Sequence, residues 1–134
     1  MATKTTTQAP PQMAEGQIVH TEIVTTDPKA MKTFMEKVFG WKFETSKMPE
    51  GDYHSFKTPG GTGGGVMAPV MSSQPIAATP YILVNDAKAA QKKVEKAGAT
   101  IVMPTDEIPN VGWFFMFQVK GGPILACFQP KMPA

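Results

Sequence analysis

Two side chains that can carry or exchange protons lie two residues apart in the stretch QIVHTEIVTTDP. They are His20 and Glu22. Residues i and i+2 of an extended strand point to the same face, so a strand here places both groups side by side. Such a pair can contact a bound small molecule or act on it as acid and base, supply two ligands to a metal, or form a structural hydrogen bond. All three interpretations stay open, and contact with a bound small molecule is the one that we carry forward.

The element that follows this strand is a well-marked helix. Asp27 is suited to the N-cap, Pro28 to the first helical position and Gly40 to the end. Apolar residues between them recur at helical spacing, which indicates one apolar face. Turn-forming Pro, Gly and Asp residues then separate three short strand candidates. These strands are predicted at about 41–46, 52–57 and 64–69. The first half of the chain therefore has the order βαβββ.

The second half repeats this order. A strand at 81–84 leads to Asp86, a second N-cap, and Gly98 ends the helix. Asp86 follows Asp27 by 59 residues, and the same offset aligns several residues of the two helices. Further strands are predicted near 100–105, 112–119 and 123–129. We predict an α+β fold in which a mixed sheet of two βαβββ modules curls around a cleft.

The modules form one domain, residues 16–134, with boundaries that follow from composition. They cover 16–69 and 79–131, and the linker between them is 70–78. Residues 1–15 are rich in Thr, Gln and Pro, so we expect a disordered arm. With one helix for four strands, each sheet is covered on one face only. The other face is therefore expected to carry the function.

The overall composition narrows the classes of function. The chain has 134 residues, 42% of them hydrophobic, and a net charge of +2, which gives no argument for nucleic-acid binding. No apolar run approaches the roughly 20 residues of a membrane helix. The single cysteine, Cys127, has no intrachain disulfide partner. We expect a cytoplasmic protein that binds neither nucleic acid nor membrane.

Several motifs resemble one known family. The segments TEIVTTDP, FMEKVFGWKF, TPGGTGGGVM, VEKAGATIVMPTDEIPNVGWF and CFQP are similar to glyoxalase-related proteins of the vicinal oxygen chelate superfamily. That superfamily also includes extradiol dioxygenases and the bleomycin and fosfomycin resistance proteins. The resemblance covers about residues 16–131. It implies a cleft in which a divalent metal is commonly held by a His or related ligand on the first strand of each module and a carboxylate on the last.

Most of the ligands that the resemblance implies are missing here. His20 matches the first-strand ligand of the first module, but its counterpart in the second module is Thr79, a poor ligand. The last-strand positions fall near Met67 and Ala126, and no carboxylate or histidine lies close to either. A divalent site needs three or four converging ligands. We therefore predict no metal and no other cofactor.

The remaining side chains predict an apolar pocket with a few polar groups, as is common for small molecules. Glu22, His20 and Tyr81, the counterpart of Glu22, are the candidate acid–base and catalytic groups. The strand near 53–56 adds Tyr53 or His54, and Tyr53 is preferred. The candidate ligand-binding residues are Trp113, Phe115, Phe128, Met67 and Tyr53.

Three functions follow from these residues. The preferred one is a metal-free protein, expected to be a homodimer, that holds a small organic ligand. The second is a glyoxalase-like lyase or isomerase that uses Glu22 and His20, so the sequence leaves open whether the protein is an enzyme. The third is an interaction module without catalysis. The run from Gly60 to Gly65 lacks the lysine and helix of a phosphate loop, and indicates a strand that another part of the chain closely approaches.

Overall fold

The computed structural model describes residues 14–131, and most of the predicted arm lies outside that range. Within this range, two helices and eight strands follow one another in two βαβββ runs. The first run contains β1 (Ile18–Val24), α1 (Pro28–Phe39), β2 (Lys42–Met48), β3 (Gly51–Lys57) and β4 (Gly63–Met67). The second contains β5 (Ala77–Leu83), α2 (Ala87–Lys96), β6 (Thr100–Ile108), β7 (Gly112–Gln118) and β8 (Ile124–Pro130). The predicted fold class is confirmed, although β5 begins earlier than the sequence indicated.

The helices begin as the sequence predicts, because both N-caps are made. The Asp27 carboxylate accepts a hydrogen bond from the backbone N–H of Ala30, and Asp86 accepts one from Ala89. Each cap satisfies a backbone donor that has no partner within the helix. Gly40 ends α1 with φ 70°, a conformation that favours glycine.

All eight strands form one mixed sheet in the order β2-β3-β4-β1-β5-β8-β7-β6. The two modules meet where β1 and β5 pair in antiparallel fashion, His20 opposite Tyr81 and Glu22 opposite Thr79. Exchanging each residue for the one 59 positions away turns the first pair into the second. The pairing of the modules therefore follows the offset that the sequence predicted from the two helix caps.

The helices cover the same face of the sheet. Helix α2 packs its Ala87 against a buried cluster that includes Phe115, Phe117 and Cys127. Helix α1 lies over the first module, where the Lys32 ammonium group sits 5.9 Å from the centre of the Phe43 ring. No helix of residues 14–131 covers the opposite face, which is called the site face below.

Helix α1 packs less closely than its apolar pattern suggests. Phe34, Val38 and Phe39 are all more than half exposed, and α1 has no buried residue. On the helix-covered face of β4, which α1 contacts, Gly64 presents no side chain to the helix. The first module consequently has a thinner core than the second.

Candidate functional site

A cluster of three hydrogen-bonded side chains lies on the site face of the first module. His20 and Glu22 come from β1, where the strand's alternation places them on one face. His20 Nε2 lies 2.7 Å from Glu22 Oε1. Tyr53, from β3, donates its hydroxyl to the same Oε1 over 3.0 Å and lies 3.2 Å from His20 Nε2. The two predicted proton-handling residues are thus in contact, and Tyr53 is the third member.

The two oxygens of Glu22 have different environments. Oε1 is the atom that both His20 and Tyr53 approach. Within residues 14–131, no hydrogen bond reaches Oε2. The Glu22 side chain is 14% exposed and that of His20 is 31% exposed, so the pair borders the surface. One carboxylate oxygen is held in place, and the other remains available to accept a hydrogen bond or a proton.

Aromatic side chains continue the site face into the second module. The Tyr81 ring lies edge-on to His20 with ring centres 5.2 Å apart, and Phe114 lies 6.4 Å beyond Tyr81. Ala126 and Phe128 of β8 belong to this face, since they pair with Tyr81 and Leu83. The site face is therefore polar in the first module and largely aromatic and aliphatic in the second.

Both tyrosine hydroxyls remain protonated over the physiological range. Burial raises the pKa of Tyr53 far above its usual range, and the negative charge and hydrogen bond of Glu22 raise it further. Burial also raises the pKa of Tyr81, again with Glu22 as the second cause. Ionising either phenol would place a second negative charge near Glu22 in a poorly hydrated region. Both phenols can therefore act as hydrogen-bond donors.

The structure brings six of the eight predicted site residues to one face. Glu22, His20, Tyr81, Tyr53, Phe128 and Met67 share it, as the strand registers show. It does not bring Trp113 and Phe115 there. Phe115 is fully buried among the residues under α2, and Trp113 packs against the same cluster.

The residues of β7 that do reach the site face are Phe114 and Met116. They pair with Phe128 and Ala126, whereas Phe115 pairs with Cys127 on the helix-covered face. The alternation along β7 is as predicted, but the choice of residues is wrong. Phe114 and Met116 occupy the site face in place of Trp113 and Phe115. Only the registry with β8 distinguishes the two sets, because both are apolar.

Two other reactive side chains lie away from the site face. His54 is buried, and its Nδ1 lies 2.7 Å from Thr45 Oγ1, which gives it a structural partner. Cys127 is buried in the core below α2. Burial raises the pKa of its thiol to about 11, so little thiolate forms at neutral pH.

The residues present do not fit the divalent metal that the resemblance implies. The last-strand position expected near Met67 falls two residues earlier, because Gly65 is the residue of β4 beside Glu22 and Ala126 is the residue of β8 beside Tyr81. Neither Gly65 nor Ala126 has a side-chain donor. Across residues 14–131, no group of three His, Cys, Asp or Glu side chains is placed to hold a metal ion. The usual three or four ligands are thus not assembled by the described chain.

Comparisons with known proteins agree with this fold. The sequence model of the Glyoxalase/Bleomycin resistance protein/Dioxygenase superfamily matches residues 17–123. The chain belongs to this superfamily. Among curated relatives, "Putative glyoxylase CFP32" of Mycobacterium bovis is 28% identical over 116 residues, which are 86% of this chain and 44% of the relative. The chain thus spans less than half the length of the curated relatives that it matches.

Solved structures share the fold of this chain. The hypothetical protein BH1468 from Bacillus halodurans C-125 superposes with a TM-score of 0.72 at 14% identity, covering 89% of this chain and 97% of that one. Methylmalonyl-CoA epimerase from Mycobacterium tuberculosis gives a TM-score of 0.67 at 16% identity, covering 90% of this chain and 94% of that one. Likeness at such low identity concerns the fold.

Among residues 14–131, neither α1 nor α2 has the length and apolar composition of a membrane-spanning helix.

Proposed function

We propose that this superfamily member binds a small organic molecule on its site face, with Glu22 as the main polar contact and without a bound metal. The observation that carries the proposal is the arrangement of the carboxylate. His20 and Tyr53 hold Oε1, while Oε2 has no hydrogen-bond partner in the described chain. Small-molecule sites are lined mainly by apolar and aromatic side chains with a few placed polar groups, and the residues of the site face have this composition.

The unequal halves of the site face support a ligand with two unlike ends. The first module offers His20, Glu22 and Tyr53. The second offers the rings of Tyr81 and Phe114 and the small Ala126. A hydrogen-bonding group would lie over the first module and an apolar or aromatic group over the second. One solved structure with this fold is a methylmalonyl-CoA epimerase in complex with methylmalonyl-CoA, a ligand with polar and apolar parts.

A catalytic role is the second candidate, and the free Oε2 of Glu22 favours it. In a lyase or isomerase of this kind, Oε2 would take a proton from the carbon next to a carbonyl group. The electron pair of the broken C–H bond would form a double bond to the carbonyl carbon, and the carbonyl π pair would move to the oxygen, which would accept a hydrogen bond from the Tyr81 hydroxyl. Tyr81 has no hydrogen-bond partner of its own in the described chain, so its donor is available. His20 and Tyr53 would hold Glu22.

The binding proposal is tested by a thermal-shift screen of α-keto acids, thiol adducts and bleomycin-like compounds. A compound that stabilises the native protein is then titrated against Glu22→Gln and against Glu95→Gln. Glu95 lies exposed on α2, on the other side of the sheet, so it is a matched control. We expect the stabilisation to be lost in the first variant and kept in the second. Equal stabilisation of both variants would remove Glu22 from the site.

Two further measurements separate the candidates. Elemental analysis of protein purified without chelators should find no stoichiometric zinc, nickel or iron, and finding one would contradict the metal-free proposal. Proton NMR in D₂O, without added metal, measures the acid–base step. It follows the exchange for deuterium of the hydrogen on the carbon next to the carbonyl group of a bound compound. Exchange that depends on Glu22 would favour the enzyme, and binding without exchange would favour the binding protein.

The assembly and the location of the protein also remain proposals. We propose a homodimer, and the exposed Phe34, Val38 and Phe39 of α1 support it because burying them against a second copy would remove apolar surface from water. Light scattering of the purified protein tests this, and a monomer at micromolar concentration would contradict it. A cytoplasmic location is supported by the single, buried cysteine, and fractionation of expressing cells tests it.

A further inference from the structure

Tyr53 reaches Glu22 by crossing a neighbouring strand. Its backbone lies in β3 and Glu22 lies in β1, with β4 between them. The residue of β4 that separates them is Gly65, which pairs with Glu22 on one side and with Ser55 on the other. The tyrosine side chain therefore passes directly over this glycine.

There is no room for a side chain at Gly65 while Tyr53 holds this position. A Cβ atom built on Gly65 would lie 1.8 Å from the Tyr53 hydroxyl oxygen and 2.0 Å from Cζ. Both distances are far below van der Waals contact. Gly65 does not have the positive φ found at other glycines of the chain. The space taken by Tyr53, and not the backbone conformation, is what requires glycine here.

The second module contains the corresponding arrangement with alanine in place of glycine. Gly65 lies beside Glu22 in the first module as Ala126 lies beside Tyr81 in the second. Ser55 pairs with Gly65 and Met116 with Ala126, so Tyr53 and Phe114, each two residues earlier, are counterparts. The Phe114 ring centre stays 6.4 Å from that of Tyr81, whereas the Tyr53 hydroxyl is within hydrogen-bond distance of Glu22.

We propose that Gly65 is a positioning residue, whose missing side chain admits Tyr53 to the His20–Glu22 pair and so determines that this end of the site carries a phenol donor. With any larger residue at position 65, Tyr53 has to leave Glu22, and Oε1 loses one of its two donors. The contact of Tyr53 with a ligand rests on the proposed function. The packing of Tyr53 over Gly65 does not.

A double-mutant cycle on stability tests the packing directly. The variants are Gly65→Ala, Tyr53→Ala and the two combined, each unfolded by heat and by urea. We expect Gly65→Ala to lower the unfolding midpoint clearly in the native background and to have little or no effect beside Tyr53→Ala, because the atoms that collide are then absent. If Gly65→Ala fails to fold alone, the combined variant should still be soluble and unfold cooperatively.

Gly63→Ala is the matched control on the same strand and face. A Cβ at Gly63 would lie 2.2 Å from the backbone oxygen of Phe56, an atom that Tyr53→Ala does not remove. Its effect on the midpoint should therefore be the same with and without Tyr53. Equal effects of Gly65→Ala in both backgrounds would overturn the proposal.

Ionisation of Tyr53 gives a readout that general destabilisation does not move. The chain has two tyrosines, so Tyr81→Phe leaves Tyr53 as the only phenol, and its phenolate absorbs near 295 nm. In Tyr81→Phe, phenolate should form only well above pH 10. In the double variant Gly65→Ala/Tyr81→Phe, provided that circular dichroism shows it to be folded, phenolate should form near the ordinary tyrosine pKa of about 10. A folded variant whose tyrosine still resists ionisation would overturn the proposal.

The two proposals fail separately. If the cycle shows coupling and no ligand depends on Glu22, the proposed function is wrong and the role of Gly65 stands. If a ligand depends on Glu22 and the cycle shows no coupling, the role of Gly65 is wrong and the binding site stands.

Discussion

Replacing each tyrosine of the site face by phenylalanine, one at a time, distinguishes the hydrogen-bonded hydroxyl group of Tyr53 from that of Tyr81, which has no partner in the described chain. Tyr53→Phe deletes the group that donates to Glu22 Oε1 over 3.0 Å. Tyr81→Phe deletes a hydroxyl that has no hydrogen-bond partner within residues 14–131. Both residues lie on the site face, and both changes remove one oxygen atom. They are therefore matched substitutions that differ in the hydrogen bond.

The expected magnitude follows from what Glu22 keeps. A hydrogen bond to a charged group contributes about 1.5–3 kcal/mol to stability. In Tyr53→Phe, Oε1 still has His20 at 2.7 Å, and the 14% exposure of Glu22 lets water replace part of the loss. We expect the free energy of unfolding to fall by about 1–2 kcal/mol, which extends below that range because Glu22 keeps these partners. For a domain of this size, the melting temperature should fall by roughly 3–8 °C.

Urea unfolding followed by tryptophan fluorescence and circular dichroism measures the difference. Tyr81→Phe should change the free energy of unfolding by less than about 0.5 kcal/mol, as is usual where no buried partner is lost. If the two variants are equally stable, or if Tyr81→Phe is the less stable one, the hydrogen-bonded cluster does not have the structure described above.

Three further predictions concern the core and the titrating groups. Phe115→Ala should destabilise the protein by about 3–5 kcal/mol because the ring is fully buried, whereas Phe34→Ala on exposed α1 should cost less than about 1 kcal/mol; comparable losses in urea unfolding would contradict the assigned burial. The raised pKa values of Tyr53 and Tyr81 contribute stability that is fully present below the unfolded value of about 10 and is lost as the pH rises above it. The double variant Tyr53→Phe/Tyr81→Phe should therefore lose less stability than the native protein between pH 9.5 and about 11, and parallel curves would refute this. The Cys127 thiol, with its pKa raised to about 11, should react with a disulfide reagent at pH 8 only after denaturant is added, and fast reaction of the native protein would show that it is accessible.

The fold could be predicted from sequence because its signals are local and repeated. Asp27 and Asp86 cap their helices through the side-chain hydrogen bonds that their positions indicated. Their separation of 59 residues also makes Thr79 the counterpart of His20, in agreement with the pairing of β1 with β5, where Thr79 lies opposite Glu22. Cap residues and a repeat depend on neighbours in the chain, and long-range packing does not alter them.

The site was harder to predict, because its composition depends on which face each strand presents. On β7 both faces are apolar, so the sequence did not show that Phe114 and not Phe115 lies on the site face. On β3 the neighbours Tyr53 and His54 were both candidates, and the pairing with β4 decides between them. Besides the spacing of His20 and Glu22, the glycine run that ends at Gly65 was a local signal. A glycine inside a strand indicates a close approach, and here the approaching group is the Tyr53 ring.

We propose that the site face binds a small organic molecule through Glu22 without a metal. The most direct measurement is calorimetric titration of the strongest compound from the thermal-shift screen into protein freed of metal by a chelator and then dialysed. We expect one binding event whose affinity is unchanged by the chelator treatment. Loss of binding after metal removal, and its return on adding zinc, nickel or iron, would contradict it.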